Sequence, residues 1–141
     1  WIFVHWIEDA SPEYLNPDSI AAIRDRVTSK FYLSMDEKRH VVIEDEYKMS
    51  DEVNFNGRYA IMTQGLWKMN DKVYAMGGPF VNYTFYDEDT KRLYMLDGSI
   101  YAPKYYKKKL IQQVDVTLQS FMTEDEISKD RKEELMEALE D

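Results

Sequence analysis

The stretch Phe80-Val81-Asn82-Tyr83-Thr84-Phe85-Tyr86-Asp87-Glu88-Asp89-Thr90-Lys91-Arg92-Leu93-Tyr94-Met95-Leu96 decides the fold class. Side chains alternate along a strand, so Val81, Tyr83 and Phe85 share one face while Asn82 and Thr84 share the other. Asp87–Arg92 is polar and turn-forming, and Leu93–Leu96 is apolar again. The pattern predicts a β-hairpin, which implies antiparallel pairing.

Outward from this hairpin the rest of the chain can be read. Asp97-Gly98 reads as a bulge, with the strand resuming through Ser99–Ala102. Pro103 then opens the strongest helix, in which Leu110, Ile111, Val114, Leu118 and Phe121 form one apolar stripe. Thr123 and Glu126 have capping-box spacing and start a further helix. That helix has few apolar residues (Ile127, Leu135, Met136, Leu139) and is supported by spaced pairs such as Asp125 with Lys129, so it is expected to be partly exposed or frayed. Upstream, Gly77-Gly78-Pro79 reads as a loop. The run from Glu52 to Met69 has β character, with Asn56-Gly57 marking a turn and Gly65 a bulge. Arg39–Asp45 centres on the strand residues Val41-Val42-Ile43. Ile20, Ile23, Val27 and Phe31 recur at helical spacing, giving an amphipathic helix over 17–31 with Arg24, Asp25 and Lys30 turned to solvent. Trp1–Ile7 is apolar on both alternate faces and reads as a strand in the middle of a sheet. The expected class is α+β: a mainly antiparallel sheet of about four to six strands with packed amphipathic helices and a C-terminal acidic helix. A single domain is expected over 1–122, followed by an acidic helix or tail over 123–141.

The chain has 141 residues, which suits one domain with a real core. Its 18 Lys and Arg stand against 27 acids, for a net charge of −9. Nucleic-acid binding depends on clustered cations, so this balance argues against it. The acidity is concentrated: Phe121–Asp141 carries nine acids and three bases, a net of −6. There is no cysteine, which excludes disulfides, thiolate catalysis and Cys-type zinc sites within this chain. The longest uninterrupted apolar runs, Trp1–Val4 among them, are far shorter than the ~20 residues that span a bilayer. The sequence opens on Trp1 rather than Met, which leaves room for a signal or anchor upstream.

The search for chemistry is mostly negative. His5 and His40 are the two histidines, and neither has metal-ligand spacing. His5, in an apolar strand, reads as structural rather than as a catalytic base. Asp87, Glu88 and Asp89 read as a solvated turn, not as a carboxylate pair flanking a glycosidic bond. Gly77-Gly78-Pro79 lacks the spacing and following helix of a phosphate loop, and no G-x-S-x-G elbow is present. Asn82-Tyr83-Thr84 matches a glycosylation sequon but lies mid-strand. No cofactor or metal is expected. Two features remain. Lys104-Tyr105-Tyr106-Lys107-Lys108-Lys109 puts cations at a helix start, where the dipole opposes them; it reads as a face balanced by local acids or as a contact for a partner or headgroups. Aromatics reach 14% of the chain, and Trp67, Tyr59, Tyr86 and Tyr101 could be core or a platform for a ligand. The candidate contact residues are therefore Trp67, Tyr59, Tyr86, Tyr101, Lys104, Tyr105, Lys107 and Lys108.

Several segments together carry a resemblance: His5-Trp6-Ile7, Tyr14-Leu15-Asn16, Phe55-Asn56-Gly57-Arg58-Tyr59, Met62-Thr63-Gln64-Gly65-Leu66-Trp67, Gly77-Gly78-Pro79-Phe80, Leu93-Tyr94-Met95-Leu96-Asp97-Gly98 and Tyr101-Ala102-Pro103-Lys104, on to Ser120-Phe121. Over about residues 1–122 the chain resembles the C-terminal half of a family of uncharacterised, predicted lipoproteins from Bacteroidetes, classed as a domain of unknown function. The resemblance implies a secreted protein of the bacterial cell envelope, periplasmic or outer-membrane-associated, reaching the membrane through a lipid anchor upstream of this chain. It supplies no functional residues. The leading expectation is a non-enzymatic envelope module that binds a protein partner or a small ligand. The alternative is a carboxylate-dependent enzyme acting on envelope glycans or lipids. A third reading is a purely structural half of a larger protein.

Overall fold

The computed structural model describes residues 1–32, 41–70 and 76–140. The elements in chain order are β1 (Ile2–Ile7), α1 (Pro17–Tyr32), β2 (Val41–Ile43), β3 (Met49–Phe55), β4 (Arg58–Met69), β5 (Gly77–Asp87), β6 (Arg92–Ser99), α2 (Lys107–Gln119) and α3 (Glu124–Glu140). The strands form one six-stranded antiparallel sheet in the order β1-β6-β5-β4-β2, and β3 also pairs with β4. The class is α+β, as the hairpin implied. His40 and the side chains of Lys30 and Phe31 lie outside the described residues.

The 80–96 hairpin forms in the expected register, with Tyr83 opposite Leu96, Phe85 opposite Tyr94 and Asp87 opposite Arg92. Its Val81-Tyr83-Phe85 face builds one core with Phe55, Ala60, Tyr94, Leu96 and the α2 stripe residues Ile111, Val114 and Leu118. Rings fill this side: Phe55 and Tyr83 centroids are 4.8 Å apart, and Phe85 and Tyr94 5.4 Å. The opposite face packs on α1, where Ile61, Leu93 and Met95 meet Ile20, with Ile23 and Val27 partly buried against them. The sheet is thus covered by α2 on one face and α1 on the other.

Arg24 corrects one expectation. It is 1% exposed rather than solvated, because it lies one helical turn from Ile20 and so on the buried stripe of α1. Its Nε donates to Asp97 Oδ2 at 2.7 Å, and Asp97 is fully buried. Asn82 Nδ2 also donates to Asp97 Oδ2 (3.1 Å), and Ser99 Oγ to Oδ1 (3.3 Å). Thr84 Oγ1 donates to Asn82 Oδ1 at 2.8 Å, so the polar residues of β5 are satisfied within the network. The Arg24 guanidinium carbon lies 3.7 Å from the centroid of the Phe80 ring, and Nη1 reaches Asp25 Oδ1 at 3.1 Å.

The expected glycine bulges are absent. Gly65 pairs with Phe80 and Gly98 with Val81 in unbroken register. Both positions are bare because something packs there. A Cβ on Gly65 would sit 3.0 Å from the Phe80 ring, and one on Gly98 would overlap the Val114 side chain of α2. Gly77-Gly78-Pro79 is the start of β5, not a loop, and Gly78 leaves room for the Ile100 carbonyl. Asn56-Gly57 is a turn as expected, with both φ angles positive, as a two-residue hairpin loop requires.

β1 lies at the edge of the sheet, not in its middle. Its Phe3-His5-Ile7 side faces α1, but α2 stops short of the other side, and Ile2, Val4 and Trp6 are left exposed. A strand apolar on both faces therefore does not mean a central strand here. α3 begins at the expected capping box, where Glu126 Oε2 accepts from the Thr123 backbone N–H at 2.7 Å. From Ser128 to Leu139 all its residues are exposed.

Removing one partner of a buried ion pair leaves the other charged and unpaired, at a cost of about 3–5 kcal/mol. Arg24→Met should lower unfolding stability by that amount in denaturant titration. Adding Asp97→Asn to that variant should recover much of the loss, since it removes the stranded charge. Equal stability of Arg24→Met and the parent chain would refute this account of the core.

Candidate functional site

The eight candidate contact residues fall at two ends of the sheet. β4 has twelve residues, and Tyr59 and Trp67 near its two ends are separated by about 27 Å of extended chain. Tyr59 and Tyr86 meet at one end, where they line an open depression of about 500 Å³ with Pro12, Leu15, Arg58 and Asp87. Tyr59 is exposed and its hydroxyl donates to Glu52 Oε1 at 2.8 Å, a bond that raises its pKa by holding the proton. Arg58 is already committed: Nη2 lies 2.6 Å from Glu126 Oε1 and 3.9 Å from Asp87 Oδ1, and its guanidinium stacks over Phe85. Asp87 accepts from Thr90 Oγ1 at 2.5 Å. The acids here, Asp87, Glu88 and Asp89, come from a single turn, so they line one wall rather than facing each other.

The other end brings together the remaining six. Trp67 is 3% exposed, so it supports a surface rather than presenting one. Its Nε1 donates to the Ile100 carbonyl at 3.2 Å, which pins the segment leaving β6. Trp67 stands 5.7 Å from the Trp1 ring and 6.3 Å from the Tyr101 ring, centroid to centroid, and those two rings are exposed. Trp1 is held by its backbone: its nitrogen donates to the Ser99 carbonyl and its carbonyl accepts from the Ser99 N–H, both at 2.9 Å. Between this cluster and α2 runs a groove of about 510 Å³ lined by Trp1, Tyr101, Leu110, Gln113, Val114 and Thr117.

The basic segment lies just before and in the first turn of α2, whose Leu110, Gln113, Val114 and Thr117 line this groove. α2 starts at Lys107, later than the expected Pro103, with Tyr106 as an N-cap that makes no side-chain capping bond. Lys107, Lys108 and Lys109 fill the first turn, and no acid shares it. Among the described residues no ion pair joins these lysines or Lys104. Tyr105 and Tyr106 are 73% and 75% exposed. Trp1 and the groove wall of α2 were not among the expected contacts. The signal for Leu110 and Val114 was present but reads as core; Val114 does pack against the core, and both line the groove.

Residues 1–120 match the family described as Domain of unknown function (DUF4837). The chain belongs to this family. No curated protein and no solved structure matches it. The family match covers the sheet, α1, α2 and both surfaces described above, and it ends before α3.

His5 is the other titratable group of interest. It is buried on the α1 side of β1, its ring stacked on Phe3 at 6.0 Å. Burial lowers its pKa below 6.5; the nearby Asp97 charge opposes this and the Arg24 charge adds to it. The folded state thus prefers neutral His5. Its contribution to stability is full above pH 6.5 and declines as pH falls from there toward the depressed folded value. Melting temperatures taken between about pH 7 and pH 5 should fall less steeply for His5→Gln than for the parent. Parallel profiles would remove His5 from the pH response.

Proposed function

We propose that this domain is a non-enzymatic binding module whose contact surface is the aromatic and basic end of the sheet. One observation carries the reading: exposed Trp1 and Tyr101, braced by buried Trp67, border a groove walled by α2, and the segment that enters α2 carries Lys104, Tyr105, Lys107 and Lys108. Fixed rings bind at low entropic cost, and lysines that form no ion pair among the described residues favour an anionic or acidic partner. The occupant is a small ligand or a segment of a partner protein. The setting we propose is the bacterial cell envelope, with a lipid anchor upstream of this chain. Support for that setting is the resemblance of the segments around Phe55–Tyr59 and Leu93–Gly98 to predicted lipoproteins. No helix among the described residues is long and apolar enough to cross a membrane.

Carboxylate catalysis on envelope glycans has less behind it. It needs two carboxylates facing across a cleft, one kept protonated. Asp97 is enclosed and paired with Arg24, and the Asp87–Asp89 acids share one turn.

A thermal-shift series with peptidoglycan fragments, envelope glycans and acyl lipids tests the binding reading. A ligand at about 100 times its Kd should add ~2.7 kcal/mol, a rise of several degrees. Tyr101→Ala combined with Lys107→Glu should abolish that rise without lowering the melt of the free chain by more than a few degrees. A rise that survives both substitutions would move binding away from this groove. No rise from any class would overturn the small-ligand half of the proposal.

A further inference from the structure

β1 pairs only with β6, so its outer side ends the sheet. The pairing fixes which of its residues look outward. Trp1 and Ser99 exchange both backbone hydrogen bonds at 2.9 Å, and the register runs unbroken from Ile2 opposite Gly98 to Ile7 opposite Leu93. Inward and outward residues alternate along an antiparallel ladder, so Trp1, Phe3, His5 and Ile7 turn their N–H and C=O groups to β6. The N–H and C=O groups of Ile2, Val4 and Trp6 point away from the sheet. The side chains of the same three residues are the exposed ones, at 44%, 40% and 50%.

Native sheet edges are guarded by a charge, a proline, a bulge or a covering element. The opposite edge of this sheet is guarded: it is divided between β2 and β3, and β3 carries Asp51 and Glu52. β1 has none of these devices. Trp1–Ile7 contains no Asp, Glu, Lys, Arg or Pro, and its ladder has no bulge. Glu8 and Arg92 at its end pair with each other at 3.0 Å, so they bring no net charge to the edge. They also hold the Trp6 ring in place. Glu8 Oε1 accepts from Trp6 Nε1 at 2.9 Å, and the Arg92 guanidinium carbon lies 5.5 Å from the ring centroid.

We propose that β1 pairs with β1 of a second copy, antiparallel about a two-fold axis at Val4, joining two six-stranded sheets into one. The symmetry of the strand selects this occupant. Centred on Val4, the pair sets Ile2 against the partner's Trp6, Val4 against the partner's Val4 and Trp6 against the partner's Ile2. Every outward N–H and C=O then has a partner, about six hydrogen bonds in all, and any other register leaves some unpaired. The exposed side chains meet in the same pairs, and all are apolar, so each cross-strand contact is favourable. Counting Trp1, which is 55% exposed beside them, the two edges bury on the order of 1,000 Å² in total, at the lower end for a specific dimer. Main-chain hydrogen bonds add to that area, as they do wherever a strand joins a sheet edge. None of Ile2, Val4 and Trp6 lines the groove between Trp1 and α2, so the dimer is independent of the binding reading.

Sedimentation of the whole chain over about 2–200 μM tests the pairing. The parent should dimerise, and no more weakly at about 500 mM than at about 150 mM salt, because no ion pair crosses the contact and salt screens the repulsion between two acidic copies. Val4→Lys and Val4→Glu each set like charges face to face at the axis, and each should dimerise at least about tenfold more weakly. An equimolar mixture of the two should regain the dimer, because the introduced charges are then opposite. Val4→Pro should abolish it by removing an N–H that β6 does not use. Val4 is exposed and its N–H points outward, so all three variants should keep the parent's circular dichroism. A parent that is monomeric throughout would overturn the proposal, as would assemblies larger than a dimer, since a two-fold pair consumes the edge. So would a dimer that Val4→Lys and Val4→Pro leave intact, or a mixture no tighter than either variant alone. A monomeric parent that binds phosphatidylglycerol vesicles through Trp6 would also overturn it, and would assign the edge to a lipid surface instead.

Discussion

The structure turns on one buried ion pair. Arg24 comes from α1 and Asp97 from β6, and neither is in contact with water. Burying two charges costs several kcal/mol per ion before attraction and hydrogen bonds offset it, so the pair is a poor source of net stability. What it fixes is position. Arg24 can satisfy Asp97, stack on Phe80 and reach Asp25 only if α1 crosses the sheet at one place and one rotation. Phe80 can lie beneath the guanidinium only because Gly65 on the neighbouring strand has no side chain there. Asp25 in turn accepts Lys48 Nζ at 3.0 Å, which ties the segment before β3 to the same helix. A polar layer thus sets the register of one face, while the face under α2 is filled by aromatic rings that tolerate more rotation.

The exposed groove follows from this unequal coverage. α2 is drawn close to the sheet where Gly98 admits Val114, so it covers β5 and β6 but not β1. The edge strand keeps Ile2, Val4 and Trp6 in solvent, and the space between α2 and Trp1 stays open. Trp67 holds the Ile100 carbonyl and so fixes the start of the chain leaving β6 toward the basic turn. One wall of the groove is thus the α2 helix and the other is held by the Trp1–Ser99 backbone pair and the Trp67–Ile100 bond, which favours recognition at low entropic cost.

Periodicity carried most of what the sequence revealed. The 80–96 hairpin, the Ile20-Ile23-Val27 stripe, the Leu110–Leu118 stripe and the Thr123–Glu126 cap all depend on local spacing, and all formed as read. The failures are non-local. The sequence reading turned Arg24 to solvent although it stands four residues from Ile20 on the buried stripe, because a charge there makes sense only once Asp97, more than seventy residues away, is known to meet it. A glycine in a strand signals either a bulge or a close neighbour. Gly65, Gly78 and Gly98 all turned out to be the second kind, and their neighbours come from other elements. The candidate contacts were similarly divided by geometry: alternation marked Tyr59 and Trp67 as strand aromatics, but only the length of β4 sends them to opposite ends.

The charge distribution raises a question that packing does not answer. With a net charge of −9, two copies repel at long range, yet the salt of a physiological medium confines that repulsion to about 8 Å. Inside that distance only neighbouring charges matter, and there the surface is segregated: a block of lysines at one end of α2 and a block of glutamates at the far end of α3. A chain selected only for solubility has no reason to set these blocks at the helix ends where the dipoles oppose them, since moving either would stabilise its helix. Segregation of this kind gives specificity at contact while net repulsion suppresses indiscriminate association, which is how charged interfaces separate the right partner from the wrong ones.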